Sequence, residues 1–488
     1  MDFSESFRSS GPHPAFSPDG RFVATVVEYR LIIREVETLR VVQLYSCLDR
    51  IDSIEWSCNS AYVLCGLCSR GVIQIWTVES SEWTCKIDEG PAGVQSVRWS
   101  PDGGSVLVVA EFGLRVAVWD LVDRRCTYLR GPKHGDGTGL AFSADGRWLA
   151  LLERSDMKDW VTVYDCGSGR GGGRGGGGDK GGWGEAARFQ LPTADAADIA
   201  WSPAGGVLAA WESCLGDKVV TLDAGSGAVL GCYSCLSGAG GGGSSKEGLG
   251  VKCVSWSPAG ELLAVGGYDG RLRLLNGATW TPLLEAAHPG RVAAPAGLVV
   301  YREELSEPRQ QQPASAGATP TSGVRPAPGP RSSAATAAAA AAADPNARTH
   351  YAIDDLPAAV PGGKPALDAP GPPRLGVGRC VWSADGRYAA SLEDCRPGSV
   401  WVWDAGAMEL AALLMHLGPV TDLAWGPRGH TLAVATGSTR VYLWTPAGAS
   451  IIHIPLAQFQ AYGCSWNNSA TTLLLRGPEA FCCAYLTA

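Results

Sequence analysis

The chain has 488 residues with a formal net charge of −8, and 45% of its residues are hydrophobic. That length suits two to four ordinary domains or one large ring of repeats, and no apolar stretch reaches the ~18 to 20 residues needed to span a bilayer. The acidic N-terminus MDFSESFRSS does not fit an export signal, and the acid excess disfavours general attraction to phosphate, so a soluble, non-secreted protein with protein partners is expected.

Along the chain one short pattern recurs: an apolar run, then Trp or Phe, then Ser, then a tight turn. It reads FSPDG at 16, WSCNS at 56, WSPDG at 99, FSADG at 142, WSPAG at 201, WSPAG at 256, WSADG at 382, WGPRG at 425 and WNNSA at 466. Each anchor is followed by an apolar strand and then an alternating one, such as LRVAVWDL from 114 or SVWVWDAG from 399. Alternation with period two marks β-strands, and the intervening Pro, Asp and Gly supply turn conformations. Each unit therefore reads as a small antiparallel sheet.

The basic anchor spacing is about 40 residues, as in 16 to 56 and 425 to 466. With four strands per unit and Trp-Asp at Trp119–Asp120 and Trp403–Asp404, the chain resembles the WD-repeat β-propeller family. The closing Asp is replaced by Glu35, Thr77, Asn276 and Thr445 in other units. The expected fold is all-β, a single closed ring over 1–488 with about nine four-stranded blades; seven or eight blades plus extra strands is the alternative. Anchor rings such as Trp56, Trp99 and Trp425 are expected to fill the wedges between blades. Residues 2–8 are expected to supply the outer strand that the last repeat lacks.

Three segments leave the repeat: a Gly-rich loop at 167–184, a Gly/Ser loop at 237–248 and a Pro/Ala-rich insert at 304–349. Their composition cannot offset ordering entropy, so all three are expected to be flexible, with 306–347 disordered and dispensable for folding. LVVYREE from 298 and HYAIDDL from 350 flank the longest one and are candidates for a hairpin at its base.

Enzyme and cofactor chemistry finds little support. The pairs Cys65/Cys68 and Cys232/Cys235 have zinc-like spacing, yet residues three apart on a strand face opposite ways. Gly135 to Gly139 precedes a strand and lacks the Lys of a phosphate loop. Arg170 and Arg174 in the Gly run are a thin RNA signal. No nucleophile and base are paired, so no catalytic residue, metal or cofactor is assigned. One feature is left over: acids lie 11 to 13 residues after the anchor, at Glu28, Glu111, Glu153, Glu212, Asp269 and Glu393. The turns that hold them should emerge on one face, where six acids would form a protein-binding collar; a local tie to the turn backbone is the competing use.

Longer strings point further. FSPDGRFVATVVEYRLIIREVETLRVVQLYSCLDRIDSIEWS from 16, EWTCKIDEGPAG from 82, AWESCLGDK from 210, SWSPAGELLAVGGYDGRLRLLN from 255 and RVYLWTPAG from 440 make the chain similar to the centrosomal and spindle-pole WD-repeat family. The resemblance implies a non-enzymatic scaffold of centrosome, basal body, centriolar satellites and spindle pole. It implies a coiled-coil microtubule-anchoring partner and a minus-end-directed kinesin, with roles in minus-end anchoring, spindle assembly and cilium formation. Neither a membrane nor nucleic acid is an expected partner. A translation-initiation-type propeller bound to ribosome or RNA is the alternative, and it would be expected to carry basic tails.

Overall fold

The computed structural model describes all residues except 81, 168–182, 236–249, 294–296, 307–346, 364–372 and 487–488. Beside a separate two-stranded ladder, the described residues form nine consecutive antiparallel strand runs, each the body of one sheet, spanning 15–46, 53–88, 96–129, 140–190, 196–234, 251–287, 377–415, 422–453 and 463–485. These are blades 1 to 9, one for each anchor. No α-helix occurs among the described residues.

The repeated anchor motif dictates each unit. The Ser after the anchor ring ties the first turn of its blade: Ser100 Oγ accepts the N–H of Ser105 at 2.9 Å and donates to Asp102 at 2.5 Å. Asp102 in turn accepts the Gly104 N–H. The same arrangement recurs at Ser17/Asp19, Ser57/Asn59, Ser143/Asp145 and Ser383/Asp385. A short polar side chain that satisfies its own turn backbone makes the reversal local, so the first two strands pair without help from distant residues.

The anchor ring then joins one blade to the last. Trp56 donates its indole N–H to Ala15 O, Trp99 to Glu55 O, Trp201 to Ala141 O, Trp382 to Ser255 O, Trp425 to Val381 O and Trp466 to Ala424 O, all at 2.8 to 3.2 Å. In every case the acceptor is the residue just before the neighbouring blade's anchor. Blades 1 and 4 carry Phe16 and Phe142 instead and pack by their rings alone.

Among the described residues nine apolar clusters follow, each shared by two neighbouring blades. The cluster of Val23, Val36, Leu474, Phe481 and Cys483 joins blade 9 to blade 1, so the ring closes. Closure is completed by the N-terminus. Asp2–Phe3 and Phe7–Arg8 pair antiparallel with Ala480–Tyr485, the third strand of blade 9. Phe7 stacks on Phe481 with centroids 5.5 Å apart. Deleting residues 1–8 should therefore expose the Ala480–Tyr485 edge, lowering the melting temperature by several degrees and causing concentration-dependent aggregation; light scattering during a thermal ramp checks both.

The flanks of the longest insert do form a hairpin, Val299–Leu305 against Thr349–Asp354, with Leu305 opposite Thr349. Its placement is the unexpected part. Val299–Leu305 lies parallel to Glu409–Met415, the outermost strand of blade 7, and makes that sheet six-stranded. A second small ladder, Arg291–Val292 with Ala358–Ala359, clamps the whole excursion at its root. Residues 306–347, expected to be disordered and dispensable, lie almost wholly outside the described residues, as do most of 167–184 and all of 237–248.

A buried polar network holds the hairpin in the wedge between blades 7 and 8. Glu303, fully buried, accepts the Tyr442 hydroxyl at 3.0 Å and the Leu417 N–H at 2.9 Å, and pairs with buried Arg440 at 3.3 Å. Tyr351 OH donates to His416 Nε2 at 2.9 Å while His416 Nδ1 meets Gly398 O at 3.0 Å, which fixes the proton on Nδ1. His288 is held alike between Gly270 O and Ser391 Oγ, and Ser391 also receives the Trp403 indole.

Burial lowers the pKa of both histidines from 6.5 to about 4. Between these values the unfolded chain binds the protons, so stability is complete above about pH 6.5 and falls as the pH drops toward 4. Each histidine should cost on the order of 3 kcal/mol by pH 4. Urea melts from pH 7 to pH 4.5 should show that slope, and His416→Gln should flatten it while lowering stability at pH 7.

Candidate functional site

The turns between the second and third strands of the blades emerge on one face, and the six acids sit at or beside them. Their environments differ sharply. Glu28 is exposed on a left-handed turn with φ of 59°, 3.8 Å from an equally exposed Arg8. Glu111 is exposed, and its side chain lies over Gly93, where a Cβ would come within 2.5 Å of it. A glycine is required there for that close approach and for its own φ of 62°.

Three of the other four acids are buried, and Asp269, though exposed, is held in an ion pair. Glu212, 4% exposed, accepts the Ala194 N–H at 2.9 Å and the Lys218 N–H at 3.3 Å. Glu393, 3% exposed, pairs with Arg396 at 2.7 Å and accepts the Cys395 N–H. Glu153 is buried against Arg188 at 3.3 Å and Arg130 at 3.8 Å, and burial pushes its pKa up. Asp269 pairs with Arg273 at 2.6 Å and accepts the Arg271 N–H. A uniform collar of six open acids is thus not formed. Burying a carboxylate demands a local donor, and each blade supplies one from the adjoining turn or strand.

Further rim carboxylates follow the same rule, and the acid spacing did not reveal them. Asp159 is fully buried between Arg154 at 3.0 Å and Lys133 at 3.1 Å, and accepts the Ala196 N–H. Asp195 shares Arg154 and Lys133 with it. Glu89 accepts the Trp119 indole and lies 3.8 Å from Arg115. The bases come from the loop between blades or from a neighbouring strand, so no fixed offset in the sequence announces them.

The channel wall is also self-satisfied. Residues two before the anchor, such as Leu423 and Cys464, sit in one blade interface, and apolar ones just before it, such as Val381 and Ala424, pack in the other, so the polar residues of these inner strands are the ones that need partners. Among these, Arg98 donates to Leu140 O, and Arg379 pairs with Asp422 at 2.8 Å. Asp422 also binds Arg476 at 2.6 Å and the Cys464 N–H. An open recess of about 450 Å³ at the inner strands of blades 2 to 4 is bordered by Glu55, Arg98 and Trp99. Its acid is already engaged, because Glu55 accepts the Trp99 backbone N–H at 2.9 Å. Burial raises the Glu55 pKa.

Cys65 is buried on the second strand of blade 2 and Cys68 lies in the turn after it, whereas Cys232 and Cys235 belong to blade 5. Among the described residues no three His, Cys, Asp or Glu side chains are grouped to hold a metal ion. Gly135 to Gly139 form part of the loop from blade 3 to blade 4. Arg170 and Arg174 lie outside the described residues.

A ring of four-stranded blades whose anchor tryptophans clasp the preceding blade defines a WD-repeat β-propeller, and the model of the WD domain, G-beta repeat, matches residues 243–276 and 409–445. The mouse WD repeat-containing protein WRAP73 is 39% identical over 499 residues, covering 100% of this chain and 96% of the relative. The chain belongs to the WRAP73 family of WD-repeat proteins. An uncharacterized WD repeat-containing protein of Schizosaccharomyces pombe is 20% identical, covering 100% of this chain and 93% of the relative. Of solved structures, the C-terminal WD40 domain of Sif2 covers 99% of each chain at 11% identity with a TM-score of 0.48.

The division of the six acids into two kinds is directly measurable. Glu212→Ala removes the acceptor of two backbone donors and should cost about 1–3 kcal/mol in urea unfolding. Glu111→Ala, at an exposed position, should stay within about 0.5 kcal/mol of the parent.

Proposed function

We propose that this chain is a non-enzymatic scaffold of microtubule-organising centres, working at the centrosome or basal body, centriolar satellites and spindle pole. In this reading it holds a coiled-coil anchoring protein, together with a minus-end-directed kinesin, and so anchors minus ends during spindle and cilium assembly. The observation that carries the reading is 39% identity with WRAP73 in an alignment that covers the whole of this chain. The buried rim and channel acids Glu153, Glu393 and Asp422 are engaged in structural pairs, which fits a surface used for docking rather than chemistry.

Of the three exposed acids among the six, Asp269 is held by Arg273 at 2.6 Å and Glu28 makes only a 3.8 Å surface contact with Arg8, so Glu28 and Glu111 are the docking candidates on that face. Exposed charges of this kind speed the encounter with basic segments more than they deepen final affinity. A fluorescent fusion expressed in dividing and in ciliated cells should concentrate at spindle poles and basal bodies, and should not co-sediment with polysomes. Absence of polar enrichment sinks the reading. The double variant Glu28→Lys, Glu111→Lys should fold normally and recruit the coiled-coil partner more slowly, with an effect that fades in high salt.

A further inference from the structure

The outermost strand of a propeller blade presents a row of backbone donors and acceptors with no strand beyond it, and such edges are usually blunted by charge, Pro, Gly or a cover. This chain blunts nearly all of them. Blades 2, 3 and 4 place Lys86, Arg125 and Arg188 on the outer strand, blade 5 interrupts it with Gly231, and blade 6 begins it with Pro282. Blade 7 has the most apolar outer strand, ELAALLM, and there the chain covers the edge itself with Val299–Leu305. Leu413, Leu414 and Met415 are at most 2% exposed as a result.

Blade 1 breaks the rule. Its outer strand, Val41–Ser46, reads VVQLYS and contains no charge, Pro or Gly. Gln43 and Tyr45 turn toward blade 2, where Gln43 donates to Val78 O and Tyr45 stacks on Trp76 at 4.6 Å. That leaves Val41, Val42 and Leu44 exposed at 50%, 43% and 56%, with Leu48 at 53% just beyond. Among the described residues no strand pairs with its outer edge.

Arginines without an ion-pair partner among the described residues stand at both ends of this strand. Arg40 stands exposed before it, and exposed Arg30 and Arg50 stand at the other end; among the described residues none of the three has a carboxylate in ion-pair reach. Of the acids nearby, Asp49 is taken by Arg70 at 2.6 Å, Glu28 faces Arg8 and Glu35 accepts the Thr38 hydroxyl, which leaves Glu37 beside Arg40.

We propose that the outer edge of Val41–Ser46 is a strand-addition site for an extended partner segment with apolar alternate side chains and acidic residues at both ends. Backbone ladder bonds would supply affinity and the exposed apolar side chains a surface to cover, as Val299–Leu305 does for blade 7. The flanking arginines would select an acidic segment and reject a basic one. This site lies on the rim wall, apart from Glu111, and its assay does not depend on the cellular role proposed above.

The test uses the full chain and three fluorescein-labelled peptides, DDVTITVDD, KKVTITVKK and the interrupted DDVTPTVDD. In fluorescence anisotropy the acid-flanked peptide should bind at least about tenfold more tightly than the lysine-flanked one, a difference of ~1.4 kcal/mol, and the proline peptide should not bind. Amide hydrogen exchange across residues 41–46 should slow when the first peptide is added. Leu44→Lys should weaken binding at least about tenfold, while Leu283→Lys on the outer strand of blade 6 should not. Arg30→Glu with Arg50→Glu leaves the strand intact and should reverse the preference between acidic and basic peptides. No saturable binding below about 1 mM overturns the proposal, as does equal binding by Leu44→Lys. A dimer of the parent that Leu44→Lys dissolves would also overturn it, since the edge would then belong to a second copy.

Discussion

The indole N–H that six of the seven anchor tryptophans donate to the backbone of the preceding blade is the contact on which the architecture depends; the seventh, Trp256, packs its ring with the indole N–H unpartnered among the described residues. The donated bond fixes the height of one blade against the next, because the acceptor is always the carbonyl one residue before the neighbour's anchor. The aromatic body of the same side chain fills the wedge that two diverging sheets leave open, and burying such a ring contributes several kcal/mol at ~25 cal/mol per Å². Six blades use the full clasp, and Phe16 and Phe142 show that the ring can act without the hydrogen bond where neighbouring apolar clusters are dense. A ring built this way is stable only when closed, so the N-terminal pairing with Ala480–Tyr485 belongs to the same constraint.

Once the blades are set at fixed heights, their turns are brought side by side on one face, and charge has to be managed there. The protein does this by pairing. Asp159 with Lys133 and Arg154, Glu393 with Arg396, and Asp269 with Arg273 each cancel within one turn or across one blade boundary. Buried pairs of this kind add little net stability against an apolar core, but removing one partner leaves an uncompensated charge and is costly. They therefore fix loop positions more than they strengthen the fold. What remains for partners is the small set that the fold does not consume, which includes Glu28 and Glu111 on the face and the open strand of blade 1 on the wall.

The wedge hairpin between blades 7 and 8 shows the same economy at a larger scale. A parallel strand added to blade 7 covers its apolar edge, and Glu303, Arg440, Tyr442, Tyr351 and His416 lock it with every hydrogen-bonding group of the carboxylate engaged. The ends of the long insert are thereby held opposite one another at Leu305 and Thr349. A loop of any length can be carried at such a point, because closure cost grows only by ~0.6 kcal/mol per doubling once its ends are fixed.

The sequence by itself determined the blade count, the strand order within each blade and the closing role of residues 2–8. Those features rest on local chemistry, period-two alternation and Ser-Asp turns, which repeat in register along the chain and can be read from it. It also showed the hairpin flanking the long insert, since both arms are adjacent to the same break. Which donors meet the buried acids was decided only by tertiary structure. Glu212 lies 11 residues after Trp201 at the end of a strand, where the Ala194 and Lys218 N–H groups meet it, whereas Glu111 lies 12 after Trp99 in the exposed turn beyond its strand. The parallel docking of Val299–Leu305 and the His288 and His416 contacts were likewise out of reach. They join residues scores of positions apart through hydrogen-bond geometry, and such geometry leaves no periodic trace in one dimension.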